Sequence, residues 1–292
     1  MTRIISALSE VSANYDALFV DLWGCLHNGV HALPEAVAAL QAYRRAGGVV
    51  ILVTNSPRPR AGVEDQIRTQ FGVPDDCWDA VATSGDSARV AMFTGVIGTK
   101  VWFMGDAERD AGFFDVPALL DDPLTIERVP LDEAEGIACC GPFDALADPD
   151  VNRPEFLLAK TRGLKLLCAN PDIVVDRGEV REWCAGALAR LYTEMGGESL
   201  YFGKPHPPIY DLARRRLAAL GHEIPDRSIL AIGDGIHTDV AGAMGEDLDS
   251  LFITGGLAAT DTRTTGQPDP RALEDFLARE QRMPTFSMGH LR

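Results

Sequence analysis

The sequence predicts an α/β protein, a doubly wound parallel-sheet (Rossmann-like) core with a second, smaller α/β domain inserted into it, and three observations carry that reading. Nearly unbroken apolar runs recur at Ala17–Val20, Val49–Val53 and Ser228–Ile232, the pattern of strands buried on both faces of a parallel sheet. Helical segments alternate with these runs, a spacing that calls for right-handed βαβ crossovers. Between residues 86 and 186 the composition changes to short apolar runs set among acidic, proline-rich loops.

The first run stops abruptly at Asp21, and Gly24 and Gly29 mark the turn leaving it. Leu33-Pro34-Glu35 opens a helix with Val37, Leu40 and Tyr43 on one face, and Gly47-Gly48 closes it. The second strand, Val49–Val53, runs straight into Thr54-Asn55-Ser56-Pro57. A helix over Pro59 to Phe71 and a strand over Ala80 to Thr83 follow, the strand ending at Ser84-Gly85. In the middle region the apolar runs are Val101–Met104, Gly136–Cys140 and Leu164–Ala169. Asp121-Asp122-Pro123, Asp148-Pro149-Asp150 and Asn170-Pro171-Asp172 are turn signals there. The doubly wound pattern resumes with a helix over Trp183 to Met195, a short strand over Glu198 to Phe202, the turn Gly203-Lys204-Pro205-His206-Pro207-Pro208 and a helix over Ile209 to Leu220. Ser228–Ile232 is then closed by Gly233-Asp234-Gly235, and Leu248 to Thr254 is the last core strand. The tail from Pro284 to Arg292 reads as poorly tied down. Residues 1–85 and 187–292 thus make the core domain, and 86–186 the inserted cap.

The bulk numbers narrow the function. With 292 residues there is one large domain or two ordinary ones. The 43 acidic against 27 basic side chains give a net charge of −16, which removes the basic footprint that nucleic acid or an anionic membrane requires. A small-molecule partner is expected. A phosphorylated one would need local cations or a bound metal to offset the acidic surface. The six cysteines have no CxxC spacing and sit among apolar residues, so they read as reduced, packed thiols rather than a zinc knuckle or disulfide framework. No signal-peptide h-region and no run of the roughly 18 apolar residues that a membrane span needs is present. The expected location is the cytoplasm.

Open α/β sheets bind ligands beyond the carboxyl ends of their strands. Four such ends each deliver a defined group: the carboxylate of Asp21, the hydroxyl and amide of Thr54 and Asn55, the amine of Lys204, and the carboxylates of Asp234 and Asp239. Each signal alone is weak, since an Asp after a strand also begins ordinary turns. Together they assemble one crevice with three carboxylates and a lysine. Hard oxygen ligands without a His or Cys cluster suit Mg²⁺.

These four stretches resemble the signature motifs of the haloacid dehalogenase-like hydrolase superfamily. Thr54-Asn55-Ser56, Thr83-Ser84-Gly85, Ala169-Asn170-Pro171-Asp172, Gly186-Ala187-Leu188 and Gly203-Lys204-Pro205-His206-Pro207 are similar to its IIA branch of capped sugar- and nucleotide-phosphatase-like proteins. The resemblance spans nearly the whole chain. It implies a Mg²⁺-dependent phosphatase acting on a small phosphorylated metabolite through an aspartyl-phosphate. Asp21 would then be the nucleophile and a metal ligand, Asp234 a metal ligand, and the main-chain carbonyl of Trp23 another. Thr54, Asn55 and Ser56 would bind the phosphoryl oxygens, and Lys204 would neutralise the charge on them. Asp239 would support the metal or hold Lys204. Pairing of two copies through the cap is a further implication.

The sequence departs from that family at Trp23. Phosphatases of the superfamily carry Asp two residues after the nucleophile, as the acid and base of the reaction. Trp has one N–H and no proton exchangeable near neutrality. Three readings stay open. Trp23 closes the pocket while His27, His206 or His237 takes over proton transfer; or the protein is a phosphometabolite binder that turns over weakly or not at all; or it is a dehalogenase, whose metal-independent members carry an aromatic residue at that place. The retained pair Asp234 and Asp239 with Lys204 speaks against the last.

Overall fold

A computed structural model describes residues 2–118, 120–177 and 180–292. Its backbone packing separates two compact units. The chain up to Thr54, Glu64–Ala82 and Lys204–Arg292 form the first, and Asn55–Val63 with Thr83–Gly203 the second. The opening stretch runs β1 (Arg3–Ile4), β2 (Ala17–Val20), α1 (Pro34–Arg45), β3 (Val49–Thr54), α2 (Arg60–Thr69) and β4 (Ala80–Thr83). The middle supplies α3 (Ser84–Phe93), β5 (Lys100–Met104), β6 (Glu127–Arg128), β7 (Gly136–Cys139), α4 (Arg153–Thr161), β8 (Lys165–Cys168), β9 (Val174–Arg177), β10 (Val180–Trp183), α5 (Ala185–Glu194) and β11 (Glu198–Tyr201). The return passes through α6 (Pro207–Ala219), β12 (Ile229–Gly233), α7 (Ala241–Gly245), β13 (Asp249–Ile253), α8 (Pro270–Glu280) and β14 (Phe286–Met288).

In the first unit the sheet order is β1-β14-β13-β12-β2-β3-β4. Every residue of β2, β3, β4 and β12 is buried, which is why those stretches lack the polar alternation of a half-exposed strand. Helix α1 starts with Pro34 at its first turn and turns Ala36, Leu40 and Tyr43 inward. Gly47, at φ +97°, then lets the chain reverse into β3. Phe19, Ile51, Val53, Ile209, Tyr210, Leu217 and Ile229 pack one face of the sheet, each fully buried side chain contributing about 1.5–3 kcal/mol.

The second unit has its own five-stranded sheet, β11-β8-β7-β5-β6, paired in parallel throughout. Phe156, Ile137, Leu166, Leu188 and Tyr192 form its core, and the Tyr192 hydroxyl donates to the Leu164 carbonyl at 2.6 Å. Strands β9 and β10 pair antiparallel as a separate two-stranded sheet.

Three sequence expectations need correction. Glu198–Phe202 does not rejoin the core: β11 pairs with β8, Tyr201 opposite Cys168, so residues 187–203 belong with the second unit, as does the stretch from Thr83. A buried parallel strand has the same local pattern in either sheet, and only its partner decides which it joins. Trp183 does not open a helix; it ends β10, and α5 begins at Ala185. The C-terminal tail is tied down: β14 pairs with both β13 and β1, Ser287 and Met288 are buried, and Leu8 N–H donates to the Arg292 carbonyl at 2.7 Å. A three-residue strand is too short to show a periodicity. Among the described residues, no helix is long and apolar enough to cross a membrane.

Candidate active site

Strands β2 and β12 lie side by side in register, Val20 opposite Ile232. From them the chain leaves in opposite directions across the sheet, to β3 on one side and to β13 on the other. This is a topological switch point, where a crevice opens beyond the carboxyl ends. Asp21 directly follows β2, and Asp234 directly follows β12. Because the two strands end level, both carboxylates arrive at the same edge. The Asp21 N–H still donates to the Ile232 carbonyl at 2.8 Å, extending the ladder by one residue.

Asp239 stands on a single turn of π-helix, Ile236–Val240. Its Oδ2 accepts from the Gly235 N–H at 3.1 Å and the Thr238 hydroxyl at 3.2 Å, which turns Oδ1 toward Lys204. The Lys204 ammonium donates to Asp21 Oδ1 at 2.6 Å and to Asp239 Oδ1 at 2.7 Å. All four charged side chains are buried. Burial alone would lower the Lys204 pKa, but the charges of Asp21 and Asp239 outweigh it and hold the amine well above its usual value. Lys204 is therefore a fixed ammonium.

One oxygen each of Asp21, Asp234 and Asp239 lies within 4.8 Å of the others. Burial, reinforced by the charges of Asp21 and Asp239, pushes the Asp234 carboxyl well above the carboxylate range against the pull of the Leu257 N–H. Three carboxylates face one ammonium, so full ionisation leaves negative charge that a divalent cation would offset. The donor set is all oxygen, which fits Mg²⁺. Cys25, fully buried nearby, keeps its thiol protonated: burial, then Asp234, Asp21 and Asp239, raise it far above the ordinary range. All six cysteines are buried and free of disulfides.

Thr54 is the last residue of β3, the strand beside β2, and is buried. Its neighbours Asn55 and Ser56 pack with the second unit. Asn55 Nδ2 donates to Asp172 Oδ1 at 2.8 Å. The Ser56 hydroxyl accepts from the Arg58 N–H at 3.3 Å, and the Ser56 carbonyl accepts from the Gly85 N–H at 3.0 Å. The turn Asn170-Pro171-Asp172 thus does more than reverse the chain, since Asp172 orients Asn55.

The Trp23 loop is a packed aromatic unit. The bare Cα of Gly29, at φ +82°, lies flush with the indole, so that a Cβ there would stand 2.1 Å from a ring carbon. His27 meets Trp23 edge-on at 5.2 Å between ring centroids and Phe71 at 4.2 Å. Its Nδ1 accepts from the Gly29 N–H at 3.1 Å, and burial pulls its pKa down to about 4. His27 is thus a neutral packing residue at pH 7. His237 is exposed and lies 3.1 Å from Glu280. His206 is the residue from which α6 starts, with its pKa lowered by burial.

One contributor escaped the sequence reading: the Leu257 N–H, which donates to Asp234 Oδ2 at 3.1 Å. The available signal was Gly255-Gly256 directly after a buried strand, the same cue that flagged Gly24.

With this geometry in hand, the comparisons with known proteins are informative. Two family models match, one described as haloacid dehalogenase-like hydrolase over residues 18–113 and one as HAD-hydrolase-like over 201–278. A haloacid dehalogenase-like hydrolase from Brucella suis 1330, known from its crystal structure, is 39% identical and superposes with a TM-score of 0.84, covering 99% of this chain and 100% of its own. The chain belongs to the haloacid dehalogenase-like hydrolase family. More distant similarity extends to a p-nitrophenyl phosphatase from Archaeoglobus fulgidus, 21% identical with a TM-score of 0.69 over 94% of this chain and 96% of that one. It also extends to the 5'-nucleotidase YutF of Bacillus subtilis, 22% identical over 276 residues, 90% of this chain and 96% of the relative.

Proposed function

We propose that the protein is a cytoplasmic, Mg²⁺-dependent phosphatase that hydrolyses a small phosphorylated metabolite, a sugar or nucleotide phosphate, through an aspartyl-phosphate on Asp21. The observation that carries this reading is the buried bridge from Asp21 through Lys204 to Asp239 beside Asp234. The names of the Archaeoglobus and Bacillus relatives agree with it.

Asp21, Asp234 and the Trp23 carbonyl would hold the cation, which when bound supplies positive charge to the phosphoryl oxygens. An Asp21 oxygen attacks phosphorus. The bond from phosphorus to the leaving oxygen breaks as the new bond forms, and the leaving oxygen keeps the electron pair. Lys204 keeps Asp21 ionised and aligned, and its charge stabilises the equatorial oxygens in the transition state. Thr54, Asn55 and Ser56 donate hydrogen bonds to the same oxygens. Water then attacks phosphorus, the bond to Asp21 breaks, and phosphate leaves with the carboxylate restored. The leaving oxygen takes its proton from solvent, because Trp23 has none to give. General acid–base assistance is commonly worth about 10²–10⁴-fold, so a slow enzyme is expected.

Trp23 also supports a second reading, a binder of phosphorylated metabolites with negligible turnover. Release of phosphate from p-nitrophenyl phosphate and a metabolite panel, with Mg²⁺ and with EDTA, separates the two. Wild-type turnover that needs Mg²⁺ and disappears in Asp21→Asn supports the phosphatase. An inert wild type beside a Trp23→Asp variant that turns over supports the binder.

A further inference from the structure

Three backbone groups from two separate loops close on one oxygen of Asp234. A Cβ on Gly24, at φ +72°, would stand 2.2 Å from Oδ2 and 2.6 Å from Cγ. A Cβ on Gly256 would stand 1.9 Å from the same Oδ2 and 2.7 Å from Cγ. The Leu257 N–H donates to that oxygen at 3.1 Å. Both approaches are closer than any Cβ permits, and in each the group in the way is the Asp234 carboxylate itself, so a side chain at either position would displace it.

The second of these loops is itself anchored. Ala258 is buried in an apolar cluster with Ile236, Val240, Phe252 and Phe276. The Thr262 hydroxyl donates to the Ala258 carbonyl at 2.8 Å, and the Thr264 hydroxyl donates to that of Thr254 at 2.8 Å, which donates on to the Met288 carbonyl at 3.2 Å. Leu257 as a residue, by contrast, is 71% exposed. What this position contributes to the site is its main-chain N–H, held still by the residues after it.

We propose that Gly24, Gly256 and the Leu257 N–H form a positioning cradle that restricts the Asp234 carboxylate to the orientation in which it binds the divalent cation. The Gly255–Thr264 loop, which carries no ligand, thereby sets the cation affinity. The inference rests on the reading that Asp21, Asp234 and Asp239 surround such a cation. Partners that orient a metal ligand typically govern about 10–100-fold in affinity, and a cradle of bare Cα atoms is the version of that device available to a carboxylate hemmed in by backbone.

The test is direct measurement of Mn²⁺ binding to the EDTA-stripped full-length protein by electron paramagnetic resonance, alongside urea melts without metal. Gly256→Ala is expected to weaken Mn²⁺ binding at least about 10-fold, while Leu257→Ala, which keeps the N–H, stays within about 2-fold of wild type. A folded Gly256→Ala with wild-type affinity overturns the cradle and leaves the phosphatase reading standing; a wild type that takes up no Mn²⁺ overturns both. Should Gly256→Ala not fold, the wild-type protein decides. The Leu257 amide resonance is expected to shift and saturate on Mg²⁺ titration, and an unmoved resonance in a protein that binds Mg²⁺ overturns the proposal.

Discussion

Lys204 Nζ lies 2.6 Å from Asp21 Oδ1, although 183 positions separate the two residues in sequence. The same ammonium meets Asp239 at 2.7 Å, so one buried cation joins the end of the first core strand to the π-helical turn after β12. Lys204→Met would leave two buried carboxylates facing each other without it. Unpairing a buried ion pair in this way costs about 3–5 kcal/mol, and loss of the charge that faces the transition state costs about 10²–10³ in turnover. Urea melts and phosphate release measure the two effects separately. The pKa of Lys204 is raised on folding, so its stabilisation is fully present below the ordinary lysine value and is lost only as pH rises through the higher folded value. Wild type is therefore expected to show no Lys204-linked loss of stability between pH 6 and 9.

His27 gives a pH dependence of the opposite kind. Burial lowers its pKa from 6.5 to about 4, so the unfolded chain binds a proton between those values that the folded protein refuses. Stability is full above about pH 6.5 and falls as pH drops toward 4, by up to about 3 kcal/mol. The expected outcome is that His27→Phe flattens this slope in melts from pH 4 to 7.5. An unchanged slope would place the charge-linked loss elsewhere.

Gly29→Ala should eject the Trp23 indole, because the new Cβ would lie 2.1 Å from the ring and the φ of +82° is unfavourable for any side chain. A loss of about 1–3 kcal/mol is expected, with a red-shifted tryptophan emission that vanishes when Trp23→Phe is added. Gly47→Ala has a comparable φ of +97° and open space around it. It should cost only the backbone term, about 1–2 kcal/mol, and leave the emission unchanged.

Met288 tests the C-terminal strand. It is fully buried and pairs with Ile253 in the sheet, so Met288→Ala should cost about 2–5 kcal/mol in a urea melt. A variant as stable as wild type would mean that β14 adds little to the sheet.

Much of this protein was legible in its sequence. The strands ending at Val20 and Ile232, the helix from Pro34 and the four polar strand ends could be read because each is a local pattern: an apolar run must stop where the chain leaves the buried sheet for a solvated crevice. The binding of ligands beyond the carboxyl ends of open α/β sheets supplied the expectation that these ends converge, and the family resemblance agreed with it. What only the tertiary structure decided was pairing across distance. The partner of β11 assigns residues 187–203 to the second unit, and β1 and β13 hold a tail too short to show periodicity. Asp172 orients Asn55, and a backbone N–H at Leu257 meets Asp234. Side-chain periodicity records only whether a residue faces core or solvent, whereas these relations depend on which distant segment lies opposite, and that is fixed when the sheets assemble.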